Sequence, residues 1–367
     1  MAIYYVKHSG GSDSNDGLSV ANAFATLQHA CDNVPKNNQI YVMATGTHTP
    51  AAPIDLDTQL GSASQPIDIW GADASGNLLT GDNYATISGS AMSSGEDIFR
   101  LNQSSGSNYI RMNNLRITAA PQSGISFASS SGAGYVIMKN CRLDNNGYNG
   151  IEVGRSGSPN PASIMAHNCE FDNNTQDGLG NITTNRGEWY LSGCRMHNNG
   201  SDGVAVRQTH IIHNCLIYAN GAKGVEVGSG LPATIVSCTI FNNTSDGIDV
   251  VHLYPESQVS SNIIASNGGY GYNTNSTGNA GVGHHQSYNL YHNNTSGEHI
   301  LGDSPIPGIN NTIADPDFVS TTEGNAEFLI PSKDSPANGA GANGSDAGSI
   351  AHKDPAGSAA VTVGFAI

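Results

Sequence analysis

A short pattern of apolar and polar residues recurs through the middle of the chain. "KNCRLDNNGYNGIEV" begins at Lys139, "HNCEFDNNTQDGLGNI" at His167 and "VSCTIFNNTSDGIDV" at Val236. Each copy has one position that is mostly cysteine and, nine residues later, a glycine. The first position is occupied in turn by Leu115, Cys141, Cys169, Cys194, Cys215, Cys238 and Asn262. The second is occupied by Gly124, Gly150, Gly178, Gly203, Gly224, Gly247 and Gly271.

The spacing of the copies indicates a solenoid. Successive copies begin 26, 28, 25, 21, 23 and 24 residues apart. A constant unit interrupted by an insert of variable length is typical of stacked structural repeats. A chain of 367 residues could form two domains. Because a solenoid grows by adding turns, we expect one long domain instead.

Within each copy the apolar residues alternate with polar ones. Cys141 and Leu143 alternate before the glycine, and Ile151 and Val153 alternate after it. Alternation with β-branched residues predicts half-buried strands. At about 3.3 Å per residue one copy makes a triangular turn, and successive turns stack about 4.8 Å apart. The sequence therefore predicts an all-β fold, a single-stranded right-handed parallel β-helix of about 8–10 coils, with the hand set by the rule for parallel crossovers.

Two polar ladders and one cysteine ladder follow from this repeat. Five of the six cysteines share one inward position, so we expect a reduced stack that packs as small hydrophobic groups, with one or two disulfides as the alternative. The residue before the ladder must tolerate the left-handed backbone region. Asparagine occupies that position at Asn114, Asn140, Asn168 and Asn214. A second asparagine column runs through Asn146, Asn174, Asn199, Asn220, Asn243 and Asn267.

The ends of the chain differ from the repeat and suggest three segments. Residues 1–38 are predicted to form an N-terminal strand, a turn and a capping helix from Val20 to Val34. Residues 39–295 hold the coils, and residues 296–367 form an irregular C-terminal segment with the apolar tail "SAAVTVGFAI". The tail is expected to dock on the body or on another subunit, which would suit a homotrimer.

Charge and composition narrow the partners. The formal net charge is −16, with 14 Lys plus Arg against 30 Asp plus Glu. This balance argues against nucleic acid and against an anionic membrane surface as partners. No apolar run approaches the length of a membrane span. The start "MAIYYVKHSGG" has no secretory signal. The expected route is synthesis in a cytoplasm, followed by assembly into a virion or an extracellular location after release.

Both ends of the chain resemble those of pectate-lyase-like β-helix proteins. The segments are "YYVKHSGGSDSNDGLSVANAFATLQHACD" from Tyr4 and "IADPDFVSTTEGNAEFLIPSKDSPANGAGANGSDAGSI" from Ile313. That superfamily includes polysaccharide lyases, hydrolases, epimerases, non-catalytic binders, phage tailspikes and other virion proteins. The closest likeness in character is to the phage members. It implies a tailspike-like or surface-exposed virion protein that binds bacterial surface polysaccharide and could cleave it, with other virion proteins as further partners.

Two other functions stay open at this point. One is a free polysaccharide lyase or glycoside hydrolase with the same groove. The other is a non-catalytic capsid or tail protein, so whether the chain is an enzyme is not decided by the sequence. The groove is expected on the strand that the repeated glycine opens.

The densest group of charges on that strand supplies the candidate site. The candidate catalytic residues are Asp202, Lys223, Glu226, Asp246 and Asp249. The candidate substrate-binding residues are Glu152, Arg155, Arg186, Arg207, His210 and His252. A lyase would need a base such as Lys223 or Arg207 and a cation, for example calcium, on the substrate carboxylate. A hydrolase would need two carboxyl groups, one of them kept protonated.

The alternative interpretation is that the same residues have only a structural role. An aspartate before a glycine is what a turn prefers, and an outward carboxylate is usually a solvated surface group. No motif has the specificity of a metal-binding signature. The metal site is therefore left unassigned and no cofactor is required, with calcium as the ion that a lyase would use.

Overall fold

A computed structural model describes residues 1–56, 66–101, 107–127, 133–154, 162–181, 187–207, 210–228, 232–250, 257–274, 285–301 and 310–349. Arg155, Arg186, His252 and the apolar tail lie outside these residues. In the described part of the chain no helix is long and apolar enough to cross a membrane.

The first part of the chain contains one helix and nine strands. They are β1 (Ile3–Lys7), α1 (Leu27–Asn33), β2 (Gln39–Met43), β3 (Ile54–Asp55), β4 (Ile67–Ala72), β5 (Ala85–Ser88), β6 (Phe99–Leu101), β7 (Ser107–Asn113), β8 (Leu115–Thr118) and β9 (Ile125–Phe127). Short 3-10 turns occur at Gly89–Ala91 and, near the end of the chain, at Ala342–Gly344.

The remaining strands follow the repeat. They are β10 (Ala133–Lys139), β11 (Arg142–Asp144), β12 (Ile151–Val153), β13 (Ala162–His167), β14 (Glu170–Asp172), β15 (Leu179–Asn181), β16 (Trp189–Ser192), β17 (Arg195–His197), β18 (Val204–Val206), β19 (His210–His213), β20 (Leu216–Tyr218), β21 (Val225–Val227), β22 (Ala233–Val236), β23 (Thr239–Phe241), β24 (Ile248–Val250), β25 (Gln258–Ser260), β26 (Ile263–Ala265), β27 (Tyr270–Thr274), β28 (His285–Ser287), β29 (Leu290–His292), β30 (Gly297–Leu301) and β31 (Thr312–Ile313).

The strands form three parallel sheets that run the length of the molecule. Sheet A has the order β1-β2-β4-β7-β10-β13-β16-β19-β22-β25-β28. Sheet B has the order β31-β29-β26-β23-β20-β17-β14-β11-β8-β5, and sheet C the order β3-β6-β9-β12-β15-β18-β21-β24-β27-β30. The predicted right-handed parallel β-helix is confirmed.

Residues in the left-handed backbone region make the corner between sheets A and B. Asn140 and Asn168 have φ of 49° and 51°, and Gly193 and Ser237 adopt the same region where the asparagine is replaced. A second left-handed column follows sheet B, for example at Asn145 and at Ala219. The asparagine turn predicted from the sequence is therefore confirmed at this corner.

The core between the sheets is mainly apolar and includes the cysteine ladder. Cys141, Cys169, Cys194, Cys215 and Cys238 are all buried, and all six cysteines are free. The reduced stack is thus the alternative that the structure contains. Their thiols donate to strand carbonyls, as Cys141 Sγ does to Lys139 O at 3.3 Å.

The second asparagine column forms a continuous buried ladder. Asn146 Nδ2 donates to Asn174 Oδ1 at 2.9 Å, and Asn146 N donates to the same oxygen at 3.2 Å. The same pair of bonds repeats from Asn174 to Asn199. Each amide in the column is almost fully buried, so these bonds satisfy groups that would otherwise lack partners.

The helix at the N-terminus is shorter than the apolar pattern predicted. It begins after Thr26, whose side chain accepts from His29 N, rather than at Val20. Asp13 explains the difference because its Oδ1 accepts from Ala25 N and Thr26 N, which holds the preceding residues in a turn. Leu27, Ala30 and Cys31 of the helix are buried within the main core cluster.

The C-terminal segment 310–349 lies over the outward face of sheet B. Phe328 and Leu329 pack with Leu216 and Tyr218, and Ala337 packs with residues of β26 and β29. Only the later coils of sheet B have apolar residues on this outward face. At the same register position the earlier coils carry Arg116, Arg142, Glu170 and Arg195.

Candidate functional site

The outward side chains of sheet C form a single column along the molecule. Val204 and Val206 point into the core, so Ala205 between them points outward. Strand pairing places the outward residues of successive coils side by side. In order they are Ser126, Glu152, Gly180, Ala205, Glu226, Asp249 and Asn273.

A second polar column lies just before the strands of sheet C. Here each side chain caps the backbone of the next coil. Asp177 Oδ1 accepts from Asp202 N at 3.0 Å, and Asp202 Oδ1 accepts from Lys223 N at 2.8 Å. The turn role that the sequence indicated for these aspartates is therefore present. In Asp177 and Asp202 this hydrogen bond uses only Oδ1, and the other oxygen faces the outward column.

Four of the five candidate catalytic residues come together where the two columns meet. Lys223 Nζ lies 2.5 Å from Asp249 Oδ2 and 3.4 Å from Glu226 Oε2. Glu226 also lies close enough to Asp202 to raise the pKa of the Asp202 carboxyl group. Glu226 therefore stands between a cation on one side and a second acid on the other.

The carboxyl group of Asp202 gains or loses its proton near neutral pH in this arrangement. Burial raises the pKa of its carboxyl to about 7, and the neighbouring Asp177 and Glu226 carboxyls add to the rise despite the hydrogen bond from Lys223 N. Burial, with Glu226 and Glu152 nearby, also raises the pKa of Asp177. Carboxyl groups that cannot all ionise together are a recognised source of acid catalysts.

Lys223 is held as a cation. Burial favours its neutral form, but the Asp249 and Glu226 carboxylates outweigh burial and raise the pKa of Lys223. Burial raises the pKa of Asp249 as well, although Lys223 opposes that rise. Asp249 is only 6% exposed, and its Oδ1 has no hydrogen-bond partner among the described residues. The ammonium group thus bridges two acids and has no lone pair to accept a proton.

A cavity of about 200 Å³ opens beside Asp202. Its lining is Gln176, Asp177, Ser201, Asp202, Ala205, Val206, Arg207 and Glu226. Small residues make the floor: Ala205 lies beside Gly180, where a Cβ would come within 2.7 Å of Asp177 Oδ2. Arg207 is exposed and is the cation of this lining, since Lys223 lies outside it.

Asp246 and Glu152 lie on the same face but serve other contacts. Asp246 Oδ1 accepts from Tyr270 N at 2.6 Å and its Oδ2 accepts from Asn273 Nδ2 at 2.9 Å, so both oxygens brace the next coil. Glu152 is 1% exposed, and its Oε2 accepts from Ser123 Oγ at 2.9 Å. Gly180 and Ala205 separate Glu152 from Glu226 in the column.

The structure places His210 away from the predicted groove. It is the first residue of β19 in sheet A. Buried and exposed residues alternate along this strand, so the side chain of His210 points inward, beside Trp189 and Ala233. The reason is that the chain has already turned the corner from sheet C to sheet A. Arg155, Arg186 and His252, which the sequence placed after the same strands, lie outside the described residues.

Asp177, Gln176 and Ser201 line the cavity but were not among the site residues predicted from the sequence. Asp177 occupies the same turn position as Asp202 one coil earlier, and that shared position was the signal available in the sequence. Gln176 and Ser201 belong to the variable turn between the asparagine ladder and the glycine, where no pattern marks a functional role.

A second charged cluster lies on the outward face of sheet B. Arg142 Nε and Nη2 bind the two oxygens of Asp172 at 2.9 and 2.7 Å, and Arg116 binds Asp144 in the same two-pronged way. Arg195 Nη2 and His197 Nε2 contact opposite oxygens of Glu170 at 2.8 and 2.9 Å. Each carboxylate of this cluster therefore has its own cationic or hydrogen-bonding partner.

Glu170, Asp172 and His197 are close enough to hold a metal ion. One ligand atom of each lies within 4.8 Å of the others. The arginines that occupy Asp172 and Glu170 leave these groups committed to ion pairs. On sheet C the carboxyl oxygens of Asp177, Glu226 and Asp249 are of the type that calcium prefers.

Comparisons with known proteins agree with this architecture. Residues 160–313 match the family described as "Right handed beta helix region". The chain thus has a right-handed parallel β-helix, and its fold is similar over most of its length to that of a solved pectate lyase. That structure, pectate lyase Pel9A, shares 18% identity at a TM-score of 0.65 over 95% of this chain and 96% of the other.

Two further solved structures are more distant. A rhamnogalacturonan lyase has 13% identity and a TM-score of 0.49 over 91% of this chain and 97% of its own. An alginate lyase from Paenibacillus sp. str. FPU-7 has 17% identity and a TM-score of 0.44 over 78% of this chain and 95% of its own. No curated protein matches the sequence.

Proposed function

We propose that the chain binds a polysaccharide across the outward face of sheet C and hydrolyses a glycosidic bond over the cavity, with Asp202 as the acid. The observation that carries this proposal is the raised pKa of Asp202, about 7, in a carboxyl group that faces an open cavity. An acid catalyst has to hold a proton at the working pH and release it to the substrate. The β-helix neighbours that act on polysaccharides support the class of substrate.

The reaction follows from the two kinds of carboxyl group in the cavity. Asp202 gives its proton to the glycosidic oxygen, and the bond between that oxygen and the anomeric carbon breaks. The neighbouring carboxylate, Glu226, stabilises the positive charge that develops on the sugar ring. Water supplies a hydroxyl to the anomeric carbon, and its remaining proton restores Asp202. Arg207, at the mouth of the cavity, would hold the sugar hydroxyls.

Elimination from an acidic sugar fits the same residues less well. A lyase needs a base that can take a proton, but the pKa of Lys223 is raised and Lys223 is committed to Asp249 and Glu226. The net negative charge of the cluster of Asp177, Asp202 and Glu226 would also repel a uronate. Calcium would be required to bring an anionic polysaccharide to this face, and we propose calcium only for that case. An uncharged polysaccharide is therefore the proposed substrate.

The test is incubation with a panel of neutral and acidic polysaccharides, with calcium or with EDTA. Hydrolysis releases reducing ends, whereas elimination also produces the ultraviolet absorbance of an unsaturated sugar. We expect reducing ends alone, from a neutral polymer, without a requirement for calcium. Asp202→Asn and Glu226→Gln should each lower the rate by about 10²–10⁴-fold. Unsaturated products that require calcium would replace hydrolysis with elimination.

A matched control separates the site from a general effect of charge. Glu188→Gln removes an exposed carboxylate just before β16 that does not line the cavity. We expect this variant to keep the parental rate. If all three variants kept that rate on a polymer the parent cleaves, the assignment of the cavity would be wrong.

The bacterial source of the polysaccharide and the place of the protein in a phage-type virion stay predictions from the sequence, as does the homotrimer. Light scattering after size-exclusion chromatography would report the mass, and three copies of 38.0 kDa are expected. Binding to surface polysaccharide purified from bacteria, compared with plant polysaccharides, would test the source. A monomer that prefers plant polymers would favour the free enzyme instead.

A further inference from the structure

An apolar column runs along the outward face of sheet A, on the opposite side of the corner from the charged cluster of sheet B. Strand pairing places Ile137, Met165, Tyr190 and Ile211 side by side on four successive coils. Met165 is 45% exposed and Ile211 is 39% exposed. Large apolar side chains at this exposure, aligned on consecutive strands, form a continuous surface rather than isolated positions.

Polar residues bound this column at both ends. On the coil before Ile137 the position belongs to Arg111, which binds Asp68 through two hydrogen bonds of 2.6 and 2.8 Å. On the coil after Ile211 it belongs to Thr234. The stacked rings of Tyr109 and Tyr135, with centroids 4.2 Å apart, lie on the same face beside its first coil. The apolar surface therefore has a defined extent of four coils, about 15 Å along the axis.

The described end of the chain approaches this surface. Gly348 N donates to Ser261 O, Ser349 N donates to Thr239 Oγ1, and Ser349 Oγ bonds Asn214 Oδ1 at 3.3 Å. The segment thus crosses from the coil of Ser261 to the coils of Thr239 and Asn214. It runs along the corner between sheets A and B toward earlier coils. Asn214 follows Ile211 by three residues, so the last described residue lies about 10 Å from one end of the apolar column.

The sequence beyond Ser349 has a pattern that suits this surface. Residues 350–357 are mostly small or polar, and the tail then alternates with Val361, Val363, Phe365 and Ile367 on one side of the pattern. The roughly ten residues between Ser349 and Val361 span at most about 35 Å, more than the length of the column. We propose that residues 358–367 of the same chain bind the apolar column of Ile137, Met165, Tyr190 and Ile211 on sheet A.

Cross-linking tests the place and the origin of the tail together. All six native cysteines are buried, so the double variant Ile211→Cys with Val363→Cys presents one exposed pair. Under mild oxidation we expect an intramolecular disulfide, seen as a joined peptide in the digest of a monomer band. The control is Thr86→Cys with Val363→Cys. Thr86 lies on β5, five strands or about 24 Å from β20 along sheet B, a distance that the extended tail can span. Disulfides that join two chains, or equal yields for both pairs, would overturn the proposal.

A stability cycle gives a second readout that does not depend on introduced thiols. Removal of residues 358–367 should expose the column, increase binding of a hydrophobic dye and lower Tm by about 2–4 °C. Met165→Ser should lower Tm in the full chain but have little effect in the shortened chain, because the contact is already absent there. Independent, additive effects of the truncation and the substitution would show that the tail does not cover Met165, and the assignment would fail.

Discussion

Acidic residues occur on the outward sides of both sheet B and sheet C, which are separated by one corner of the coil. The pKa values of Glu170 on sheet B and of Asp202 beside sheet C are shifted in opposite directions. On sheet B, burial alone would raise the pKa of Glu170, but the hydrogen bond from His197 and the charges of Arg195 and Arg142 hold that pKa at about 2. On sheet C, burial and two neighbouring carboxyl groups raise the pKa of Asp202 to about 7. Glu170 is therefore ionised throughout the physiological range, whereas Asp202 exchanges its proton within that range.

The difference comes from the placement of the cations. Each sheet B carboxylate has an arginine on a neighbouring coil, in a two-pronged contact for Asp144 and Asp172. Sheet C has Lys223 for Asp249 and Glu226, and Asp202 is left with acids on both sides. A buried carboxylate that is fully paired is costly to leave unpaired and stays ionised, whereas a buried carboxyl group next to other acids can exchange a proton with a substrate.

The largest expected effect comes from removing one arginine of the sheet B ladder. Arg142→Ala leaves Asp172, which is fully buried, without its two-pronged partner and weakens the field around Glu170. We expect the free energy of unfolding to fall by about 4 kcal/mol, measured by urea denaturation. The control is Arg100→Met, because the Arg100–Asp55 pair has the same geometry but is more than one-third exposed on the Asp55 side. Its cost should be about 1 kcal/mol or less, and equal costs would contradict the contrast.

The next effect is the pH dependence that Glu170 confers. Its pKa is lowered on folding, so its contribution to stability is present above the unfolded value of 4.5 and is lost as pH falls toward 2. Glu170→Gln should lower the free energy of unfolding by about 3 kcal/mol at neutral pH. The gap between variant and parent should close as pH falls from about 5 to about 2. A gap that stayed constant with pH would mean that lost packing, not charge, is responsible.

Asp202→Asn should have the opposite sign. The pKa of Asp202 is raised on folding, so its contribution is fully present below pH 3.8 and is lost as pH rises through about 7. Asparagine does not titrate and keeps the oxygen that accepts from Lys223 N. The variant should match the parent near pH 4 and exceed it by on the order of 2 kcal/mol near pH 8. Thermal unfolding followed across that range would check the sign, and a destabilised variant at high pH would refute the raised pKa.

The smallest change in stability is expected for Glu226→Gln. Lys223 keeps its contact with Asp249, and Glu226 is partly exposed, so the free energy of unfolding should change by about 0.5 kcal/mol or less. Loss of the Glu226 charge should lower the pKa of Asp202. If any cleavage activity remains in the variant, the limb of its pH–rate profile that depends on the acid should therefore move to lower pH. An unchanged limb would show that the charge of Glu226 does not affect the pKa of Asp202.

The repeat, the hand of the fold and the turn chemistry were predictable from the sequence because each depends on short spacings. Alternation assigns the strands, nine residues fix the distance from the ladder to the glycine, and asparagine marks the left-handed corner at Asn140 and Asn168. The inward position of Cys141 follows from the same alternation. None of these features depends on the number of residues between two coils.

The ion pairs and the fate of individual site residues were not predictable in the same way. Arg116 pairs with Asp144 and Arg142 with Asp172, across inserts of different lengths that hide the register. His210 follows the sheet C strand closely, but a corner separates the two and turns its side chain inward. The pairing of Asp202 with Glu226 depends on side-chain directions in three dimensions, so the sequence could place both in one cluster without assigning the proton.

The asparagine ladder has a direction, and that direction bears on how the molecule can grow. From Asn146 to Asn294 each Nδ2 donates to the Oδ1 of the following coil, so the amide dipoles point the same way along the axis. The row starts with Ala120 N donating to Asn146 Oδ1 and ends with Asn294 Nδ2 donating to Glu298 Oε2 at 2.6 Å. Every interior coil thus offers the same acceptor on one side and the same donor on the other. A duplicated whole coil would extend the row without a defect, whereas a partial coil would interrupt it, so this architecture favours change in length by complete modules.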